Sequence, residues 1–189
     1  MNINKFTQKS MEAVQNCEKL AYEFGNQEID QEHLLKSLID QEDGLILKLI
    51  EKMEINTAHF SNRVTEYLNK KVKVQGGDLR ISNDLNKVLI TAEDEAKAMG
   101  DEYVSVEHLF LSLLKYPNKA MKELFKEYGI TRDRFLTALS TVRGNQRVTS
   151  DNPEATYDTL QKYGTDLVEK ARSQKLDPVI GRDAEIRNV

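Results

Sequence analysis

The 189-residue sequence predicts an all-α protein, and three observations lead there. Apolar residues recur at helical spacing, hydroxyl and amide caps stand where those runs begin, and one long stretch is spelled twice. The string QEHLLKSLI at residues 31–39 returns as VEHLFLSLL at residues 106–114. With Glu32 set on Glu107 the offset is 75 residues, and it holds without a gap from residues 6–70 onto residues 81–145. Glu18/Glu93, Ala21/Ala96, Gly25/Gly100, Leu49/Leu124, Ile55/Ile130 and Phe60/Phe135 are further identities along it. A gapless match of that length reads as two copies of one supersecondary unit.

Each copy spells four helices. The first begins at a hydroxyl cap, Thr7 or Ser82, and stops at Gly25 or Gly100, where a residue without Cβ suits a helix C-terminus. The second begins at Asp30 or Ser105. A branched apolar residue precedes that cap (Ile29, Val104) and a leucine follows at staple spacing (Leu34, Leu109). A short third helix covers residues 45–53 or 120–128, with Ile46, Leu49 and Ile50 at helical spacing. The fourth repeats the staple, as Ile55–Asn56–Phe60 and Ile130–Thr131–Phe135. Most of the doubled string therefore answers to folding: Glu32 and Glu107 stand in a first helical turn, where a carboxylate gains roughly 0.3–1 kcal/mol from the dipole. Lys70 to Arg80, with Gly76–Gly77 at a turn, joins the copies. Units of this size are small alone, so their apolar faces are expected to pack as one pseudo-twofold domain over residues 1–145.

Composition narrows the function classes. The apolar share is 39% and the charged share 31%, with no Trp and 3 Pro, which suits a helical protein with many solvated charges. No apolar run approaches the ~20 residues of a membrane span, and MNINKFTQKS lacks the apolar core of a secretory signal. The single cysteine, Cys17, excludes an internal disulfide and matches a reducing cytosol. A net charge of −4 argues against a nucleic-acid binder or helical DNA-binding regulator. His33, His59 and His108 fall on three different helices without a Cys pair, so no metal site is expected. Cys17 stands where the other copy has Ala92 and reads as a small packed residue. No carboxylate pair stands out as a general acid and base.

Residues 144–157, GNQRVTSDNPEATY, are polar, lack helical periodicity and contain Pro153, so residues 146–157 read as an interdomain linker. Leu160, Tyr163, Leu167 and Ala171 then form one helical stripe. Asp177–Pro178 breaks it, and Asp183 caps a new helix. The run YGTDLVEKARSQKLDPVIGRDAEIRNV closely resembles the approach to the first ATPase module of ClpB-type AAA+ disaggregases, and the double repeat before it resembles the Clp amino-terminal domain. The resemblance implies that residues 158–189 are the truncated, mostly helical start of an AAA+ domain. In the full-length protein Val179 and Ile180 would line an adenine pocket, with ATP and Mg as cofactors. No G-x-x-x-x-G-K-[ST] loop occurs in these 189 residues, so this polypeptide is not expected to hydrolyse ATP and reads as a piece of a longer chain.

The resemblance also implies a substrate site. Thr7, Asp101 and Glu107 match positions implicated in handling aggregated substrates. Asp101 is notable because the first copy has neutral Asn26 there. Val88 and Leu89 are candidates for an apolar groove between the copies, with the acids as its exposed rim. The expectation is an N-domain that engages unfolded or aggregated protein for a homohexameric disaggregase aided by a partner chaperone system, while the piece alone is a monomer. The alternative is an adaptor- or phospho-arginine-docking N-domain of a protease-coupled unfoldase, for which Glu32 and Glu107 would be the matching residues. In the rim reading, removing Asp101 is expected to cost less than about 0.5 kcal/mol, as for a loop residue.

Overall fold

Helix caps set the frame. In the computed structural model, which describes residues 3–74 and 76–154, Thr7 and Ser82 open α1 (Gln8–Glu23) and α5 (Asn83–Ala98). Their hydroxyls accept from Ser10 N–H at 3.2 Å and Leu85 N–H at 2.9 Å. Both helices end before a glycine in the left-handed region, Gly25 at φ 70° and Gly100 at φ 73°, which residues with a Cβ rarely adopt. Next come α2 (Gln31–Asp40), α3 (Leu45–Lys52) and α4 (Thr57–Asn69) in the first copy. In the second they are α6 (Val106–Lys115), α7 (Lys119–Tyr128) and α8 (Arg132–Arg143). Asn56 and Thr131 cap α4 and α8 as expected.

The two copies are tied together by an exchange of extended backbone that helical periodicity does not announce. β1 (Glu28–Ile29) pairs in parallel with β2 (Arg80–Ile81), Ile29 opposite Ile81, and Phe6 bridges Val104 in the same sense. Ile81 is the counterpart of Phe6, and Val104 that of Ile29, so each copy lends its strand to the lead-in of the other's first helix. The bonds match: Ser82 N–H donates to Ile29 C=O at 2.9 Å, and Thr7 N–H to Val104 C=O at 2.9 Å. Such i-to-j and j-to-i reciprocity is the mark of an isologous interface, here within one chain. It makes each half depend on the other.

The core runs through α2 and α6. Leu34, Leu35 and Leu38 in one, and Leu109, Phe110 and Leu113 in the other, are fully buried. Both helices are covered on nearly all sides, which their apolar content allows. Phe110 stacks on Phe135 with centroids 4.5 Å apart and meets Phe125 edge-on at 5.7 Å. Across the pseudo-twofold, α3 packs on α6 and α8, and Arg63 reaches Glu127 at 3.0 Å.

The stretch expected to be an interdomain linker is packed on the domain as far as it is described. Residues 144–154 lie against both copies, with Val148, Pro153 and Glu154 buried. Polar composition led to the linker reading, but Asp151 and Glu154 have polar partners on the domain. Residues 158–189, and with them Val179 and Ile180, lie outside the described residues.

Candidate functional site

The site grows from the N-termini of α2 and α6. Each opens with a capping box closed by histidine, where glutamate or glutamine is usual. In the first copy Asp30 N–H donates to His33 Nδ1 at 2.9 Å, and in the second Ser105 N–H donates to His108 Nδ1 at 2.8 Å. Because Nδ1 accepts, the ring proton sits on Nε2. It points to Asn26 Oδ1 at 2.9 Å in one copy and to Asp101 Oδ2 at 2.6 Å in the other. Ser37 and Ser112 repeat a third device, donating to Ala13 C=O at 2.6 Å and Val88 C=O at 2.8 Å.

The copies part company in charge. Asn26 needs no counterion, and a buried Leu68 lies at the end of α4. Asp101 needs one, and at the position equivalent to Leu68 stands Arg143, 3% exposed. Its guanidinium donates to Asp101 Oδ1 through Nη2 and to Glu107 Oε2 through Nη1 at 3.2 Å, with all three side chains out of solvent. Asp101 Oδ1 also accepts from Val148 N–H at 2.9 Å. Burial alone would push the Asp101 carboxyl up, but the His108, Val148 and Arg143 hydrogen bonds outweigh it and hold the group below its usual value.

Beside this cluster Thr7 meets Glu154. Thr7 Oγ1 donates to Glu154 Oε2 at 2.9 Å, and Val106 N–H donates to the same oxygen at 3.3 Å. Burial, with the Glu107 charge beside it, pushes the Glu154 carboxyl up to about 7. Glu107 Oε1 and Glu154 Oε1 are buried side-chain oxygens without a protein hydrogen-bond partner among the described residues. Arg143 thus joins Asp101 and Glu107, while Thr7 is held by Glu154, whose carboxyl lies close enough to Glu107 for the two charges to interact.

The expected geometry is corrected in two respects. Asp101 and Glu107 are not an exposed acidic rim: their side chains are 0% exposed and held by Arg143. Removing one partner strands a buried charge, which costs about 3–5 kcal/mol and far exceeds a loop substitution. Val88 and Leu89 do not line an open groove either; both are core residues of α5, at 0% and 1% exposure. Thr7 is the cap it was expected to be and is fully buried as well. Cys17 packs in α1, where burial raises its thiol to about 12, far from a nucleophile's value.

In the first copy the corresponding glutamate also holds a cation. Lys71 Nζ lies 3.0 Å from Glu32 and 3.2 Å from Asp30, while Asn118 Nδ2 donates to Glu32 at 2.9 Å. This cluster is partly open, with the Lys71 side chain 19% exposed. Burial, aided by the Lys71 charge, pushes the His33 imidazole down to about 4. Arg143 and Glu154 were missed from sequence because each was read by its segment, a helix end and a linker. One signal was present: in the ungapped alignment an arginine replaces Leu68 where an aspartate replaces Asn26.

Residues 5–128 match the family model of the Clp repeat N-terminal domain. The chain is 48% identical over 195 residues to the chaperone protein ClpB of Nitratidesulfovibrio vulgaris, covering 100% of this chain and 22% of that protein, so it spans about a fifth of that relative's length. Its structure is similar to the Hsp104 N-terminal domain from Candida albicans, with a TM-score of 0.70 and 26% identity over 79% of this chain and 99% of that one. It is also similar in fold to a ClpV N-domain in complex with a VipB peptide, with a TM-score of 0.58 and 20% identity over 80% of this chain and 91% of that one.

Proposed function

Because the chain belongs to the Clp repeat N-terminal domain family, we propose that it is the substrate-engaging amino-terminal region of an ATP-dependent disaggregase. It takes hold of unfolded or aggregated polypeptide and passes it to a homohexameric AAA+ pore, working with a partner chaperone system in the cytoplasm. The observation that carries this reading is the asymmetry between copies. One scaffold is built twice, yet only the second copy carries the fully buried Asp101–Arg143–Glu107 charge cluster, with Glu154 and its Thr7 partner beside it. Buried charge is a poor route to stability, so its presence in one copy fits a role the scaffold does not require. Weak, unselective engagement suits a domain that must release its substrate to a motor.

The division of labour follows from what the sequence holds. With no phosphate-binding loop in these 189 residues, ATP and Mg chemistry belongs to the downstream module, to which Val179 and Ile180 would contribute adenine contacts. The chain alone is expected to be a monomer, and no helix among the described residues is long and apolar enough to cross a membrane.

A second reading, docking of an adaptor or a phospho-arginine group, draws on one observation: Glu32 and Glu107 each hold a cation at matching places. Anisotropy of labelled, reduced and carboxymethylated lactalbumin with Glu107→Gln and Glu32→Gln chains separates the two. The disaggregase reading expects weakened binding in Glu107→Gln alone. Equal losses in both variants, with melting temperatures intact, favour the twofold alternative. Unchanged binding in both removes the site.

A further inference from the structure

Resting on that reading, a further inference concerns the chain after α8. Residues 145–152 contain no helix, yet backbone bonds tie them to both copies. Glu102 N–H donates to Val148 C=O at 2.8 Å, and Gln8 N–H donates to Asp151 C=O at 2.7 Å. Val148 is fully buried at one end and Glu154 is 6% exposed at the other.

The first copy shows what Glu154 replaces. There Asp30 Oδ1 accepts from Ser82 Oγ at 2.8 Å and from Gln31 N–H at 2.8 Å. Ser82 and Gln31 are the counterparts of Thr7 and Val106, the two donors to Glu154 Oε2. The second copy has Ser105 where the first has Asp30, so its helix cap carries no carboxylate. Glu154, 48 residues beyond Val106, puts one at the same place. In one copy the carboxylate is fixed in the cap. In the other it stands on a segment downstream of the repeat.

We propose that residues 145–154 are a releasable strap, latched by Glu154 in a carboxylate seat at Thr7 and the start of α6, and that strap and polypeptide substrate compete for this surface. The strap itself defines the partner chemistry: an extended chain whose backbone takes the bonds of Val148 and Asp151, with an apolar side chain six residues before a carboxylate. The latch is also poised to open. The groups facing Glu154 are the Thr7 hydroxyl, the Val106 and its own N–H groups, and the Glu107 carboxylate, itself tied to Arg143. Burial and the Glu107 carboxylate oppose a charge on Glu154 more than the donors favour it, so ionisation weakens the seat.

The test uses the 189-residue chain in released and locked forms. Glu154→Ala releases the strap. Gln8→Cys/Asp151→Cys, with Cys17→Ala, is designed to lock it on oxidation, since the Gln8 N–H already bonds Asp151 C=O at 2.7 Å and the two backbones lie side by side. Amide exchange at Gln8 and Glu102 reads strap opening, and anisotropy of unfolded lactalbumin reads competition. Release is expected to speed both amides by about tenfold or more and to tighten lactalbumin binding severalfold. The oxidised lock is expected to weaken binding, and reduction to restore it. A synthetic peptide of residues 145–157 is expected to bind the Glu154→Ala chain and not the wild type. Glu154→Gln keeps the accepting oxygen and is expected to stay latched, which guards against a folding defect in the alanine variant. Unchanged exchange in Glu154→Ala overturns the latch. Faster exchange with lactalbumin binding intact and unchanged between locked and released forms overturns the competition. Absence of lactalbumin binding in every form overturns the substrate reading and the competition together, with the latch still judged by exchange and peptide.

Discussion

Two copies of one unit, alike in helix order, solve the same local problem in opposite ways. At the glycine-ended loop the first copy uses Asn26 with Leu68, and the second uses Asp101 with Arg143. At the next helix start the first carries its own carboxylate, Asp30, and the second takes Glu154 from downstream. The histidine box, the serine-to-carbonyl tie and the reciprocal strand pairing are common to both. What is shared is scaffold. The differences are charged and buried, and they meet in one place, which is why the second copy is the place to look for function.

The largest effect is expected from breaking the charged solution. Arg143→Leu copies the first-copy residue without its partner, leaving Asp101 and Glu107 buried without their cation. A loss of about 3–5 kcal/mol is expected, lowering the melting temperature by on the order of 10 °C in a calorimetric scan. Leu68→Arg in the first copy should do comparable damage by burying a guanidinium opposite a neutral amide. Adding Asn26→Asp should recover a good part of it, if position 26 and position 68 are coupled as 101 and 143 are.

A smaller effect is expected at the open cluster. Lys71→Ala leaves Asp30 and Glu32 with Ser82, Gln31 and Asn118 still donating, and water reaches the site. A loss of about 1–2 kcal/mol in urea unfolding is expected, after allowing for solvent screening. A loss as large as that of Arg143→Leu would erase the distinction between the two clusters.

Helix starts were legible because caps and 3.6-residue periodicity are local signals, and the doubled spelling gave every one of them twice. The reciprocal strands were not, since two-residue pairings carry no periodicity of their own. The trio Thr7, Asp101 and Glu107 could be named, but their burial could not. That depends on Arg143 from the far end of α8 and on Glu154 from a segment whose polar composition reads as solvated. A polar tail looks the same in sequence whether its partners are water or a helix start whose cap carries no carboxylate.

The smallest effect expected is a loosening with rising pH at the Glu154 seat; His33 in the first copy, lowered to about 4, has the opposite sign and loses stability only as pH falls. The Glu154 carboxyl is raised in the folded chain to about 7, so its contribution is fully present below its unfolded value and is lost as pH rises through about 7. Asp101 is lowered and has the opposite sign, contributing above the ordinary carboxylate range and failing only in acid. Between about pH 5 and 8, exchange at Gln8 and Glu102 should therefore accelerate beyond the intrinsic base dependence, while amides near Asp30 should not. Glu154→Gln should remove the difference; its persistence would place the titrating group elsewhere.

The most direct test neutralises the second-copy network without stranding a charge. In Asp101→Asn/Glu107→Gln/Arg143→Leu the whole buried set goes neutral, and replacing a buried ionic cluster outright is often close to neutral for stability. A melting temperature within a few degrees of wild type is expected, because the first copy already folds around Asn26 and Leu68. Lactalbumin affinity, measured on the same samples, should fall by roughly tenfold, about 1.4 kcal/mol. Full affinity in a well-folded triple variant would contradict the assignment of substrate engagement to this network.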